Sequence, residues 1–144
     1  MTITPLTEFH ARDMAELEKQ CFPLPWSEAA IRAEINNPVA RIWGAFENGR
    51  LLGYAGLQTI VDEGYITNIA TSPEHRRHGI ADALLRELLA CAARKTLRFL
   101  TLEVRESNTP ARALYAKHGF AQAGRRRGYY EAPREDAVLM TKTL

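Results

Sequence analysis

Cysteine is scarce in this chain of 144 residues, and long apolar runs are absent. Cys21 and Cys91 have neither CxxC spacing nor a histidine pair nearby, which favours buried free thiols over a disulfide framework or a metal site. No apolar stretch approaches the roughly 20 residues that a transmembrane helix needs. The first residues lack a basic segment followed by an apolar run, so we expect no secretory signal and a soluble, cytoplasmic protein.

Composition and net charge are those of an ordinary globular domain and not of a disordered or nucleic-acid-binding chain. Apolar residues make up 46% and charged residues 25% of the chain, as in ordinary globular domains. The formal net charge of +2 is too small to indicate nucleic-acid binding by itself. The chain contains no repeat, and it has no linker rich in proline, glycine and serine. We therefore predict a single domain over residues 1–144.

The first half of the chain alternates turn signals with short apolar runs. Antiparallel strands are predicted at residues 2–6, 42–46, 51–60 and 64–71. Asn48-Gly49 lies between the second and third of these, and Asn-Gly between apolar runs is the strongest short hairpin signal. Helices are predicted after Thr7 and after Ser27, since both residue types are good N-caps.

The second half of the chain changes from strand spacing to helical spacing. Apolar residues recur with a helical period over 81–92, and residues 97–104 then alternate as a strand does. A strand, a helix and another strand form a crossover unit, so the strands on either side of this helix should run parallel. A helix starting near Asn108 and closing strands near 120–124 and 137–143 complete an α+β fold with a mixed central sheet.

One turn carries a signal for phosphate binding. Arg76-Arg77-His78-Gly79 comes directly before the leucine-lined helix, whose N-terminus offers unpaired N–H groups and the positive end of the helix dipole. Glycine there would let a phosphate approach the backbone. A helix start with basic residues in solvent fits the same spacing equally well. The chain has neither GxxxxGK[ST] nor GxGxxG, so the sequence supports neither a Walker NTPase site nor a Rossmann dinucleotide site.

This turn resembles the coenzyme A signature [R/Q]xxGx[G/A] of the GNAT superfamily of N-acetyltransferases, with Arg76, Gly79 and Ala81 at its defining positions. The chain as a whole is similar to the RimI group, the ribosomal-protein-alanine N-acetyltransferases. This resemblance rests on PWSE at 25–28, TNIATSPEHRRHGIADALL at 67–85, LEVRESN at 102–108, ALYAKHGF at 113–120 and RRGYY at 126–130. It implies the GNAT fold and transfer of acetyl from acetyl-CoA to a protein N-terminal α-amine, the N-terminal alanine of a small-subunit ribosomal protein.

The resemblance also implies roles for individual residues. Glu103 matches the family's proton acceptor and Tyr115 its proton donor, although without the resemblance they would be interpreted as a surface carboxylate and a core aromatic. The residues expected to bind coenzyme A are Ile69, Ala70, Thr71, Arg76, Arg77, His78, Gly79, Ile80, Ala81, Asp82 and Asn108. The residues expected to contact the protein substrate are Trp26, Glu63, Tyr129 and Tyr130. We expect no metal, no membrane contact and no direct nucleic-acid contact.

Two other functions stay open at this point. The first is a GNAT enzyme that acetylates lysine side chains or a small amine, and peptides with free and blocked N-termini would separate it. The second is an RNA-binding or ribosome-binding module, suggested by the basic run 125–127 beside Tyr129 and Tyr130. Such a module would bind RNA with a steep salt dependence and would not turn over a thioester.

Overall fold

The computed structural model describes residues 1–144, which form a seven-stranded sheet and four α-helices. The strands are β1 (Thr2–Pro5), β2 (Ala40–Glu47), β3 (Arg50–Ile60), β4 (Glu63–Thr71), β5 (Phe99–Arg105), β6 (Ala121–Tyr130) and β7 (Glu135–Thr143). The helices are α1 (Ala11–Cys21), α2 (Glu28–Ile35), α3 (Ile80–Arg94) and α4 (Thr109–Lys117). None of these helices is both long enough and apolar enough to cross a membrane.

The strand order in the sheet is β1-β2-β3-β4-β5-β7-β6. Strands β1 to β4 pair antiparallel with their neighbours, β4 and β5 pair parallel, and β7 pairs antiparallel with both β5 and β6. Helix α3 makes the crossover between the two parallel strands. The predicted α+β fold, with antiparallel N-terminal strands and a parallel central pair, is confirmed.

The hairpin between β2 and β3 forms at the predicted dipeptide. Asn48 and Gly49 both have positive φ, 51° and 76°, as a two-residue type I′ turn requires. The turn sets a register in which Glu47 pairs with Arg50. This pairing directs alternate side chains of both strands to opposite faces of the sheet.

Strand β6 is longer than the sequence predicted. It continues to Tyr130, whereas the prediction ended at Gly124. Apart from half-buried positions at Gly124, Gly128 and Tyr130, its residues are exposed, because β6 is an edge strand that pairs only with β7. The sequence of β6 therefore lacks the alternation of apolar and polar residues that marks a half-buried strand. Register shifts also interrupt its pairing with β7.

Two apolar clusters pack on opposite faces of the sheet. Helix α3 covers one face with Leu84, Leu85 and Leu88, which are all 0% exposed, and burial of each contributes about 1.5–3 kcal/mol. Helices α1 and α2 cover the other face. The start of α3 lies close to β3 because Gly53 has no side chain: a Cβ there would come within 2.9 Å of Ile80 Cγ2. A larger residue at position 53 would therefore displace the first residue of α3.

Candidate active site

The parallel pair at the centre of the sheet is short, and a gap opens beyond it. Strands β4 and β5 are paired only over residues 63–65 and 99–101. Beyond Tyr65, β4 remains paired with β3 on its other side, so the edge that faces β5 is free of strand partners. A β-bulge leaves Thr67 unpaired between Ile66 and Asn68. Backbone N–H and C=O groups of β4 are thus available to a ligand in the gap.

A groove of about 580 Å³ lies beside this gap. Its walls come from the α1–α2 segment, from β4 and β5, from the start of α4 and from the β6–β7 turn. The predicted site residues that line it are Trp26, Ile69, Glu103, Asn108, Tyr115, Tyr129 and Tyr130. The structure therefore brings both predicted catalytic residues and three of the four predicted substrate residues to one place.

The alternation of β5 directs Glu103 into the groove. Leu102 and Val104 are buried in the core, 2% and 5% exposed, and Glu103 lies between them on the opposite face. Its side chain is 27% exposed, and its Oε1 accepts a hydrogen bond from Arg126 Nε at 3.0 Å. This ion pair leaves Oε2 for a donor that enters the groove. The geometry suits a proton acceptor.

Tyr115 lies on α4 with its ring packed in the core beside Phe120, at 5.9 Å between ring centroids. Burial, assisted by the nearby Tyr130, raises the pKa of Tyr115 above its ordinary value. The phenol therefore keeps its proton at neutral pH. It can donate that proton into the groove and cannot act as a base there.

Arg105, a residue that sequence reasoning missed, holds the wall of the groove formed by the β6–β7 turn. Its guanidinium carbon lies 4.5 Å from the centre of the Tyr130 ring. Its Nη1 donates to Glu135 Oε1 at 3.2 Å and to the Pro133 carbonyl at 2.9 Å. Burial raises the pKa of Tyr130 to about 12. The only sequence signal for Arg105 is its place two residues after Glu103.

The turn before α3 has the geometry of an anion-binding site. Residues 76–79 are exposed, and Arg77 and Gly79 have positive φ, 67° and 78°. Left-handed residues curl the backbone so that successive N–H groups converge. A Cβ on Gly79 would meet no atom within 4 Å, so the space above it is open. The predicted group Arg76, Arg77, His78, Gly79, Ile80 and Ala81 thus lies together at the N-terminus of a 15-residue helix.

Asp82, which was also predicted to bind coenzyme A, has a different environment. Its carboxylate lies 2.7 Å from His118 Nε2, 2.7 Å from Arg86 Nε and 3.4 Å from Lys117 Nζ. These contacts lower the pKa of Asp82 to about 2, and the hydrogen bond with His118 has the largest effect. Its ionised side chain links α3 to the end of α4, and its contact with coenzyme A stays a prediction.

Asn108 caps α4, where its side chain accepts a hydrogen bond from the Ala111 N–H at 3.3 Å. Ala70 is 4% exposed and Thr71 is half-buried, and neither side chain lines the groove. Only their backbone, along the free edge of β4, is placed to meet a coenzyme.

Glu63 lies outside the groove. It begins β4, at the end where β5 is still paired, and the groove opens toward the other end. Its carboxylate accepts from the Tyr65 hydroxyl at 2.9 Å and from Arg98 Nη2 at 3.3 Å. The topology thus places Glu63 at the end of β4 that is farther from the groove, and its contact with the protein substrate stays a prediction.

The basic run on β6 is largely neutralised by acidic neighbours. Arg125 Nη1 lies 2.7 Å from Glu106 and 3.3 Å from Asp136, and Arg126 pairs with Glu103. The run therefore does not present three free cations to a polyanion. No group of three or more His, Cys, Asp and Glu side chains is arranged to hold a metal ion.

A buried polar network beneath the groove was also missed. Glu18 is 1% exposed, and its Oε1 accepts the Trp26 N–H at 2.9 Å. Its Oε2 accepts from the Tyr54 hydroxyl and from Asn68 Nδ2. The available signal was the position of Glu18 four residues after Met14, on the face of α1 that packs against the sheet.

Comparison with known proteins extends this picture. Residues 11–120 match the acetyltransferase (GNAT) family. The chain is 38% identical over 148 aligned positions to the N-alpha-acetyltransferase RimI of Mycobacterium tuberculosis, covering 99% of this chain and 92% of that protein. It is 35% identical over 126 residues to the ribosomal protein bS18-alanine N-acetyltransferase of Escherichia coli, covering 86% and 84%. A crystal structure of the Escherichia coli ribosomal-protein-S18-alanine N-acetyltransferase superposes with a TM-score of 0.92 at 33% identity, covering 99% and 92%.

Proposed function

Because this chain belongs to the acetyltransferase (GNAT) family, we propose that it transfers acetyl from acetyl-CoA to the N-terminal α-amine of the alanine that begins ribosomal protein bS18. The observation that carries the proposal is the gap between β4 and β5. It connects the anion-binding turn before α3 with the groove that contains Glu103 and Tyr115. We place the activity in one domain, residues 1–144, acting in the cytoplasm where ribosomal proteins are made.

The residues present fit acetyl-CoA. The exposed turn 76–79 offers converging N–H groups, two arginines and a helix N-terminus to the pyrophosphate. The free edge of β4 at Ile69, Ala70 and Thr71 offers backbone groups to the amide-containing pantetheine arm. When bound, acetyl-CoA supplies the acetyl group as an activated thioester.

Glu103 is the proposed proton acceptor. An α-amine must be neutral to attack a carbonyl carbon, and after attack it must lose one further proton. A carboxylate that faces the groove can take this proton directly or through a water molecule. Arg126 holds one carboxylate oxygen in place, which limits the rotation of the side chain.

Tyr115 is the proposed proton donor, and β4 is the proposed binding site for the thioester oxygen. When the carbon–sulfur bond breaks, the departing thiolate needs a proton, and the phenol of Tyr115, which is protonated at neutral pH, lines the groove. N–H groups of β4 beside the bulge at Thr67 can stabilise negative charge on the carbonyl oxygen. One well-placed donor of this kind contributes about 2.7–4 kcal/mol.

The peptide would lie between the α1–α2 segment and the β6–β7 turn. Trp26 contributes a half-buried ring on one side, and Tyr129 and Tyr130 contribute rings on the other. The rings of Tyr129 and Tyr130 pack edge to face at 5.0 Å. The Arg105 guanidinium packs over the Tyr130 ring and holds it in place, so this wall is preorganised for an extended peptide.

Peptide acetylation measured by mass spectrometry tests the proposal. We expect a peptide that begins with the alanine of bS18 to be acetylated on its α-amine when incubated with the protein and acetyl-CoA. The same peptide with a blocked N-terminus and an internal lysine should stay unmodified. Acetylation of that lysine, or of small amines in preference to the free peptide, would favour the alternative GNAT activities and contradict the proposal.

A further inference from the structure

One amide side chain in the groove has an orientation that its neighbours determine. Asn68 follows the bulge on β4 and lines the groove. Its Nδ2 lies 3.1 Å from Glu18 Oε2 and 2.9 Å from the Tyr54 hydroxyl. Glu18 and Tyr54 are each 1% exposed. A polar group of the groove thus rests on a fully buried network.

Both neighbours can only accept hydrogen bonds from Asn68. Three donors surround the Glu18 carboxylate: the Trp26 N–H, the Tyr54 hydroxyl and the Asn68 amide. Tyr54 gives its single proton to Glu18, so it can offer Asn68 only a lone pair. Burial, with the Glu18 charge beside it, raises the pKa of Tyr54, so the phenol keeps that proton.

This arrangement decides which end of the amide faces the ligand. Asn68 must present its NH₂ group to the network, because a carbonyl oxygen there would face two acceptors. Its Oδ1 therefore points away from Glu18 and Tyr54. The groove then contains a neutral acceptor beside the bulge where the thioester is expected, and Glu103 is a charged acceptor of the same groove.

We propose that Asn68 Oδ1 accepts a hydrogen bond from the attacking amine of the acceptor peptide, and that Glu18 is a positioning residue that sets this acceptor. The inference rests on the proposed function, since it names a further contact of the same substrate. A neutral α-amine carries two N–H groups and one lone pair. If Asn68 holds one N–H and Glu103 takes the proton of the other, the lone pair is left for the carbonyl carbon.

Glu18 also connects this acceptor to the peptide wall. The carboxylate oxygen that does not contact Asn68 holds the backbone N–H of Trp26. One buried group thus fixes both an acceptor for the amine and the segment that carries an aromatic side chain of the groove. A change at Glu18 should therefore affect the peptide and leave acetyl-CoA binding at residues 76–79 unaffected.

The test measures kcat and KM for an alanine-starting peptide, together with acetyl-CoA affinity by calorimetry. Asn68→Ala should lower kcat/KM about 10-fold, as expected for loss of one hydrogen bond, with unchanged acetyl-CoA affinity. Glu18→Gln keeps one side-chain oxygen for the Trp26 N–H, but its NH₂ group then faces the Asn68 amide. Asn68 is then free to rotate, so this variant should cause a similar loss. The double variant should be no worse than Asn68→Ala alone, because both changes remove the same contact.

A matched control is Gln58→Ala. Gln58 also donates an amide hydrogen bond to a half-buried carboxylate, Glu34, at 2.7 Å, but it lies outside the groove. This variant should keep wild-type kcat/KM. A peptide starting with N-methylalanine provides a second measurement, because its amine has one N–H fewer. Methylation should cost the wild type more activity than it costs Asn68→Ala.

Several results would overturn the inference. Wild-type kcat/KM in Asn68→Ala, additive losses in the double variant, or an equal methylation effect in both proteins would each do so. If Asn68→Ala does not fold, the methylation comparison between wild type and Glu18→Gln decides. Failure of the wild type to acetylate the alanine peptide would instead refute the proposed function, and the inference with it.

Discussion

Replacement of Glu103 by glutamine separates a catalytic carboxylate from a surface one. Glutamine keeps the shape of the side chain and leaves the strand pairing of residue 103 with Leu139 unchanged, but it cannot accept a proton from an amine. The Glu103–Arg126 pair is partly exposed, 27% and 56%, so its loss should cost at most about 1 kcal/mol of folding free energy. The melting temperature should therefore fall by only a few degrees.

The expected effect on turnover is much larger than the effect on stability. Loss of a positioned general base lowers the rate by about 10²–10⁴, and 10² corresponds to about 2.7 kcal/mol of activation free energy. Because the cofactor turn at 76–79 is separate from β5, acetyl-CoA affinity should not change. Steady-state kinetics at neutral pH, with calorimetry for acetyl-CoA, would measure both quantities.

Glu106→Gln is the matched control for this experiment. Glu106 also pairs with an arginine, Arg125 at 2.7 Å, and is 44% exposed, but it does not line the groove. It should lose as little stability as Glu103→Gln and keep wild-type turnover. If Glu103→Gln stays within about threefold of wild type, or if both variants lose turnover equally, Glu103 is not the proton acceptor.

Three further predictions concern other parts of the site. Tyr115→Phe, which keeps the buried ring, should lower kcat at least about 10-fold at constant peptide KM in steady-state assays, and an unchanged kcat would exclude it as the donor. Gly79→Val should weaken acetyl-CoA binding at least about 10-fold by calorimetry. Gly49→Val is the control, because Gly49 is equally open and its φ of 76° imposes the same backbone strain on valine, but this variant should bind acetyl-CoA with wild-type affinity. Equal acetyl-CoA affinities in the two variants would refute the anion-binding turn. Asp82→Asn should lower the melting temperature at neutral pH. Because the folded pKa of Asp82 lies at about 2, below its ordinary value, the carboxylate stabilises the fold above about pH 4 and this contribution is lost as the pH falls toward 2. The melting temperatures of the wild type and Asp82→Asn should therefore converge near pH 2. A difference in melting temperature that stays constant with pH would contradict the stabilising role of the Asp82 carboxylate.

Local patterns predicted the parts of the fold that local physics determines. The Asn48-Gly49 hairpin follows from the positive φ that both of its positions require. The parallel β4–β5 pair follows from the crossover connection through α3, which lets the second strand run in the same direction as the first. The full length of β6 could not be predicted in this way, because an exposed edge strand has no apolar alternation to detect.

Motif positions predicted which residues lie together in the groove, and the tertiary contacts around them were missed. Glu103 and Tyr115 lie in one groove, as their resemblance to a family pattern implied. Asp82 has the sequence position of a phosphate-loop residue, but its partner His118 is 36 residues away in the chain. Glu18 lies four residues after Met14 on the packed face of α1, but no local pattern shows that Tyr54 and Asn68 donate to its carboxylate.

A crystal structure of the protein with coenzyme A covalently linked to an alanine-starting peptide would test the central claim most directly. The account predicts the pyrophosphate at residues 76–79, the pantetheine arm along the free edge of β4, and the alanine nitrogen in the groove beside Glu103. A pyrophosphate bound away from that turn, or a peptide bound outside the groove between Trp26 and Tyr130, would contradict it.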